Sequence, residues 1–442
     1  MNQQTAGDTH RFVIVGGGAG GLELAVQLGR KLGKRSKAQL TLVDAARTHV
    51  WKPLLHQVAA GTLDSHADEL EYLALARDNH FAFRLGRMDG LNRAAKEIYL
   101  APTYDEDGVE VLPRRTVQYD TLVLAIGSQT NDFGTPGVHE HTIMLDSPGA
   151  AARFHERLIN SCLRAQAKSK APGEGRFTVT IIGGGATGVE LSAELHQTAK
   201  ALSSYGLANF DPEKDVKIVI IDAAPRVLSA LPERLSTAVT HELRALDIEI
   251  HTNEKVVEVT KDGVRMGSGK FIPSGIVVWC AGIKVPDFLK EIDGLESNRI
   301  NQLVVHRTLQ TTRDPSVFAM GDCAACPQGE GKPPVPPRAQ AAHQQAALLA
   351  KSLPRMLAGK PLLEYTYRDR GSLVSLGNYS TVGSLMGAVA RGSVFIEGHI
   401  AKWMYWWLHK NHQVTVIGWF QTWLTTWAET IDWARNPRIK LH

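Results

Sequence analysis

The sequence predicts an α/β chain of two doubly wound, parallel-sheet modules followed by a C-terminal segment of different character. Three observations predict it. An apolar, β-branched run at 12–15 leads into Gly16, Gly18 and Gly21 and then into a helical pattern. The same order returns at 177–182 with Gly183, Gly185 and Gly188. Seven of the nine tryptophans, Trp403, Trp406, Trp407, Trp419, Trp423, Trp427 and Trp433, fall in the last 40 residues, which sets the end of the chain apart from its body.

The first turn, "RFVIVGGGAGGLELAVQL", is G-x-G-x-x-G between a strand and a helix. The glycines allow the tight turn and let the backbone approach a pyrophosphate. The helix start at Ala19 offers unpaired N–H groups and a positive dipole end. The next strand, "QLTLVD", ends at Asp44, 23 residues after Gly21, where a carboxylate accepts both hydroxyls of a ribose. The second turn, "FTVTIIGGGATGVELSAEL", carries Thr187 between Gly185 and Gly188. Its acid, Asp222, closes "VKIVIID" 34 residues after Gly188, because "SSYGLANFDPEKD" intervenes as a loop. Two such turns imply two dinucleotides, or one that resides and one that visits. Flavin with nicotinamide is the usual pair.

Composition narrows the class. A chain of 442 residues has room for two or three domains and a large core. A hydrophobic content of 43% and a charged content of 21% suit an ordinary globular protein, and a net charge of +4 lacks the basic bias of a nucleic-acid binder. Four cysteines are too few for a disulfide scaffold and fit a reducing compartment. The polar start "MNQQTAGDTHR" has no signal-peptide segment, so folding in the cytoplasm is expected.

Three further segments, "YDTLVLAIGS" (119–128), "IVVWCAGI" (276–283) and "TTRDPSVFAMGDCA" (311–324), complete a pattern. With them the chain resembles the two-dinucleotide-binding-domain flavoproteins. The resemblance implies an FAD domain at 10–145 and 295–365, an inserted NADH domain at 146–294, and a C-terminal region at 366–442 packed on the FAD domain. FAD contacts fall on Gly16, Gly18, Ala19, Gly21, Asp44, Gly127, Gly321 and Asp322. Lys52 in "WKPLL" either passes over the flavin edge or stands at the surface. NADH contacts fall on Gly183, Gly185, Thr187, Gly188, Glu190, Asp222 and Gly282. A carboxylate at Asp222 about 4 Å from a 2′-phosphate costs on the order of 4 kcal/mol at an effective dielectric near 20, which favours NADH over NADPH. Arg226 is close enough in sequence to soften that preference.

The acceptor is read from the glutamines. In "AQAAHQ" (339–344), Gln340 and Gln344 stand four apart on one helical face. The segment resembles the A-Q-x-A-x-Q motif of the type II NADH:quinone oxidoreductases, and "GGGATGVE" and "RGSLVSLGNYSTVGSLMG" are similar to that family's bacterial members. The resemblance covers essentially the whole chain. It implies that Gln340 and Gln344 face the flavin and a quinone headgroup, where a carboxamide supplies a neutral donor. A solvated alanine helix is the plainer alternative. Glu190 either complements the dipole of its helix or relays protons beside the flavin, with Glu194 one turn on. Cys323 and Cys326 form C-x-x-C, but the disulfide reductases of the flavoprotein family carry their pair elsewhere. Structural thiols are expected here, and no metal site. Two other functions remain open: a sulfide:quinone oxidoreductase, and a flavoprotein that binds NADH mainly to switch partners.

The C-terminal segment reads as two helices at about 398–435. Trp419, Trp423, Trp427 and Ile431 form one stripe, and Lys402, Lys410, Arg435, Arg438 and Lys440 are placed to meet headgroups. Residues 411–428 are uncharged, but too many are polar for a spanning helix. The expectation is a peripheral membrane protein on the cytoplasmic face of a bacterial inner membrane, taking quinone from the bilayer and pairing as a homodimer. The basic run Arg30, Lys31, Lys34, Arg35 and Lys37 is read as a solvated helix end, with a lipid-facing patch as the alternative.

Overall fold

The computed structural model describes residues 9–63, 69–167, 177–204, 211–377, 380–386, 393–397 and 399–435. The polar start through residue 8, the middle of the loop expected at 203–215, and Arg438 and Lys440 lie outside the described residues. So do the side chains of Lys402, Trp433 and Arg435.

Each glycine turn rises from the central strand of a five-stranded parallel sheet. In the first sheet the order is Val317–Ala319, Thr121–Leu124, Arg11–Val15, Gln39–Asp44, Ala82–Leu85. In the second it is Ile143–Met144, Ile276–Trp279, Phe177–Ile182, Val216–Ile221, Glu249–His251. Phe12, Val13 and Ile14 are fully buried, as the near-continuous apolar run of a strand covered on both faces requires. The chain leaves the first sheet, builds the second, and returns with Val317–Ala319, which pairs with Thr121–Leu124. The strand Ile143–Met144, just before the expected boundary at 146, already pairs with the second sheet.

The two modules share core. The short helix Leu55–Ala60 leaves the first module and buries Leu55, Val58 and Ala59 among side chains of Pro148–Ala167 and Ala186–Ser204. The helix Ala339–Leu357 lies along the first glycine helix, Ala19–Lys31. Alanine and glycine at the contact, such as Gly20 against Ala342, permit the close approach.

The C-terminal region packs on both modules rather than on the first alone. Its three-stranded antiparallel sheet, Gly371–Leu376, Ser380–Met386 and Ser393–Glu397, buries Val374 and Leu376 in the core of the second module. The helix His399–Ile417 then docks on the first, with Val416 in that core. Gly418, at φ 88°, turns the chain so that Trp419–Arg435 folds back on its predecessor.

Two basic readings change. Lys410 does not face outward. It is buried between the two helices, 2.6 Å from Glu429 and 3.0 Å from Gln413 Oε1. Arg30 is exposed at its helix end, as expected, but is not only solvated. It donates to the carbonyls of Thr415 (3.4 Å) and Val416 (3.0 Å), which closes the C-terminal end of the docked helix. Lys31 likewise donates to the Ala350 carbonyl at 3.0 Å. Lys34, Arg35 and Lys37 are exposed. Among the described residues no helix is long and apolar enough to cross a membrane.

Candidate functional site

The two turns are built alike. Gly16 and Gly183 hold φ 105° and 110°, a region that favours glycine. A Cβ at Gly21 would overlap the Gly16 carbonyl oxygen, and one at Gly188 the Gly183 oxygen, so each helix seats directly on its strand. A Cβ at Gly18 or Gly185 would meet nothing within 4 Å. These glycines face the space a pyrophosphate would fill, and no side chain caps the helix start at Gly18. Ala19 and Thr187 lie in the first turns of the two helices.

The acids do more than the ribose contact the sequence suggested. Asp44 accepts from the amides of Gly17 (2.5 Å) and Ala46 (2.7 Å). Asp222 accepts from those of Gly184 (2.5 Å) and Ala224 (2.7 Å). Each therefore braces its own turn. Burial pushes the Asp44 carboxyl up, against the pull of those amides and of Lys52. Arg226 gives its guanidinium to the carbonyls of Leu228, Ser229 and Leu231, at 2.9–3.4 Å, and is committed there rather than presented to a 2′-phosphate.

On the flavin side, Asp322 accepts from Ser128 Oγ at 2.7 Å while Gln302 donates to its carbonyl at 2.8 Å. The Gly321 amide donates to Gln345 Oε1 at 2.6 Å. Lys52 Nζ lies 3.4 Å from the Ser128 carbonyl and against Gly127, so it covers that turn while remaining exposed. Ser128, Gln302 and Gln345 were not foreseen. Gln345 follows the glutamine pair in sequence but faces the opposite side of the helix, toward Gly321. The open face at Gly18, the uncapped helix start and the braced acid fit an FAD pyrophosphate and ribose, and Gly185 with Asp222 fits NADH in the same way.

A cavity of about 980 Å³ joins the second turn to the C-terminal region. Gly183, Asp222 and Gly282 form one end; Gln340, Gln344 and His343 form the other, with Trp407 from the docked helix. Gln340 Nε2 donates to Asp369 Oδ1 and the Gly371 carbonyl, both at 3.2 Å, and its oxygen accepts from the Arg370 amide at 3.1 Å. Gln344 exchanges hydrogen bonds with the backbone of Arg368, at 2.8 and 3.1 Å. The glutamine stripe is thus a wall of the cavity, not a solvated face, and its amides are held by the 368–371 backbone.

Glu190 stands behind that wall. It is the fifth residue of Ala186–Ser204, past the first turn, where dipole complementation has faded. Its Oε1 accepts from the Ser375 amide at 3.0 Å, and its Oε2 lies 3.5 Å from His56 Nδ1. Burial pushes Glu190 up to about 8, opposed by the Ser375 amide and aided by Glu194. Burial also pushes His56 down to about 4. Near neutrality both are uncharged. Thr62 Oγ1 donates to Glu194 at 3.1 Å.

The four cysteines are free thiols. Cys323 and Cys326 are buried, and burial pushes their thiols up to about 12 and 11, far from the thiolate that disulfide exchange needs. Cys323 donates to the carbonyls of Leu124 and Met320, both at 3.2 Å. Among the described residues no cluster could hold a metal ion.

Two parallel sheets, two braced glycine turns and a cavity that runs from the second turn to the glutamine helix define a pyridine-nucleotide flavoenzyme. The pyridine nucleotide-disulphide oxidoreductase family matches residues 10–346. A type II NADH:quinone oxidoreductase of Haemophilus influenzae is 42% identical over 97% of this chain and 99% of its own. In fold, NDH2 from Plasmodium falciparum in complex with NADH superposes with a TM-score of 0.80 at 17% identity, covering 98% of this chain and all of that one. The sulfide:quinone oxidoreductase of Aquifex aeolicus gives 0.72 at 16% identity, covering 93% and 92%. The chain belongs to the type II NADH:quinone oxidoreductases, within the pyridine nucleotide-disulphide oxidoreductase family. It is an oxidoreductase that uses FAD and NADH and reduces quinone, and the sulfide and partner-switch readings give way to this one.

Three predictions follow from this geometry. NADH should be preferred over NADPH at least about tenfold in kcat/KM, and Asp222→Ser should narrow the gap at least about threefold, as initial rates with both cofactors will show. Cys323→Ser with Cys326→Ser should keep at least about half of the quinone reductase activity, because the hydroxyl at 323 can still donate to the Leu124 and Met320 carbonyls. The third concerns pH. The folded state holds Glu190 protonated to about pH 8, whereas the unfolded chain releases that proton near 4.5. Folding therefore binds a proton in between, and stability falls as pH rises through that window. In Glu190→Gln this loss is absent. Its Tm should gain on the parent from pH 5 to pH 8 by on the order of 3 °C or more, then run parallel.

Proposed function

We propose that NADH lies along the second turn, from Gly185 to Asp222, and that the quinone headgroup enters the far end of the same cavity, against Gln340, Gln344 and His343. In this reading residues 10–145 and 295–365 hold FAD, 146–294 hold NADH, and Gln340 is shared between flavin and quinone. The cavity carries the reading, since its wall joins the nicotinamide turn to the glutamine helix and to the docked C-terminal helix. Bound FAD supplies acceptance of a hydride and onward transfer of two electrons. The chain's own part is to place both substrates and manage protons. Gln340 and Gln344 offer neutral amide groups without fixing charge beside the flavin. Glu190, neutral at rest and close to His56, is a proton store behind the Leu373–Ser375 wall.

The two C-terminal helices bring the cavity to the bilayer surface. Trp403, Trp406 and Trp407 on one helix and Trp419, Trp423 and Trp427 on the other are all exposed, and together they form an aromatic face. With Lys410 tied to Glu429, apolar burial carries most of the attachment. The proposal places the protein on the cytoplasmic face of a bacterial inner membrane and keeps a homodimer, which sedimentation of the solubilised protein tests. Trp419, Trp423 and Trp427 together offer roughly 5–9 kcal/mol on burial. Their joint replacement by glutamine should lower partition into phosphatidylcholine vesicles at least a hundredfold. Half-molar salt should leave most of the parent protein bound. Full release by salt, or unchanged partition of the triple variant, contradicts the aromatic anchor.

A further inference from the structure

Glu23 sits in the first glycine helix among Leu22, Leu24 and Ala25, and is 1% exposed. A carboxylate there is costly unless it is paired. Both oxygens are used. Oε2 is 2.6 Å from His343 Nδ1 and Oε1 is 2.8 Å from His412 Nδ1. His343 lies on the cavity wall between Gln340 and Gln344, and His412 belongs to the docked C-terminal helix. Beyond it, His412 Nε2 is 3.1 Å from His49 Nε2, and His49 Nδ1 is 2.9 Å from the Gly17 carbonyl. Four side chains thus run unbroken from the first glycine turn to the cavity.

Counting donors shows what the chain holds. The Gly17 carbonyl can only accept, so His49 Nδ1 carries a hydrogen. Burial pushes His49 down to about 3, so its ring is neutral and Nε2 is bare. His412 Nε2 must then donate to it. The remaining contact, between His412 Nδ1 and Glu23, needs one more proton. That proton rests either on a doubly protonated His412 or on Glu23. On the other side, the hydrogen bond that His343 Nδ1 donates to Glu23 holds His343 above the usual imidazole range. Burial pushes Glu23 up, but its bonds to His343 and His412 outweigh this and keep it below the usual carboxyl range. The other groups facing the chain are Arg370, opposite His343, and His409, beside His49 and His412; Lys410 borders His409, and Asp44 borders Tyr72 at the Gly17 end. His343 Nε2 has no protein partner among the described residues, so it is the ring atom left for a ligand in the cavity.

Reduction of a quinone to quinol takes two electrons and two protons. NADH supplies both electrons and one proton as hydride. The second proton comes from the medium. We propose that Glu23 is a positioning residue that holds His343 charged beside the quinone, so that His343 Nε2–H supplies that second proton. The Nε2–H bond of His343 breaks as the quinol O–H forms. His343 is left neutral with its Nδ1–H still donated to Glu23, and the medium returns a proton to Nε2 through the cavity. No electron moves through the chain.

The proposal rests on the quinone occupying this cavity. Its test follows flavin reoxidation by a short-chain quinone in stopped flow, with rates corrected for bound FAD. It also follows the titration of His343 by NMR of 15N-histidine protein free of NADH, with the signal assigned by His343→Asn. Glu23→Gln should lower the His343 midpoint by at least about one pH unit. It should slow reoxidation at least about tenfold at pH 8 but less at pH 6, with the quinone KM changed less than about threefold. His412→Gln keeps the contact between Glu23 and His343 and a donor to Glu23, and should leave the His343 midpoint no lower than the parent's, which separates loss of the Glu23 charge from disturbed packing. An unmoved His343 midpoint in Glu23→Gln overturns the proposal. So does a reoxidation pH profile unmoved in Glu23→Gln, even where the midpoint has shifted. A quinone bound elsewhere shows itself separately, as an unchanged quinone KM in Gln344→Leu.

Discussion

The hydrogen bond from the residue between the first two motif glycines of each turn to its acid is the constraint on which the site depends. Gly17 N to Asp44, and Gly184 N to Asp222, are both 2.5 Å. Each bond fixes the turn against the neighbouring strand and so points the first amides of the helix at one place. The third glycine of each turn, Gly21 or Gly188, is needed because any side chain there would collide with the carbonyl of the first. One local solution is thus used twice, on two separate sheets, the second inserted in sequence between the strands Thr121–Leu124 and Val317–Ala319 of the first.

What separates this chain from a generic flavoenzyme is how polar groups are satisfied where the modules meet the C-terminal region. The glutamine helix is held by the 368–371 backbone through Gln340 and Gln344, and by the first module through Glu23 and Gln345. The docked C-terminal helix is held by His412 and by Arg30 at its end. Buried polar groups tolerate no loss of partners. A shift of the docked C-terminal helix would therefore break contacts that also position the cavity wall. The position of the docked C-terminal helix and the shape of the glutamine end of the cavity are physically linked through Glu23.

Much of this was legible in the sequence, for identifiable reasons. The turns could be read because glycine spacing, apolar strands and terminal acids are local features. The glutamine helix could be placed on the cavity by its family resemblance, and the aromatic foot by its four-residue spacing. The rest depended on contacts distant in sequence. Lys410 looked available until the hairpin at Gly418 brought Glu429 beside it. Arg30 looked like a solvated helix end until Val416 arrived from the far end of the chain. Glu23, two residues after Gly21, carried no signal of its own. Its meaning comes from His343 and His412, both more than 300 residues away.

The central claim is that one cavity, walled by the glutamine helix and the docked C-terminal helix, receives the quinone. Photolabelling with a short-chain azidoquinone, followed by mapping of the modified peptides, tests it most directly. The account predicts attachment within residues 338–344, 370–374 and 404–412, suppressed by excess unlabelled quinone. Competable labelling confined to other segments, with these three left unmodified, would contradict it.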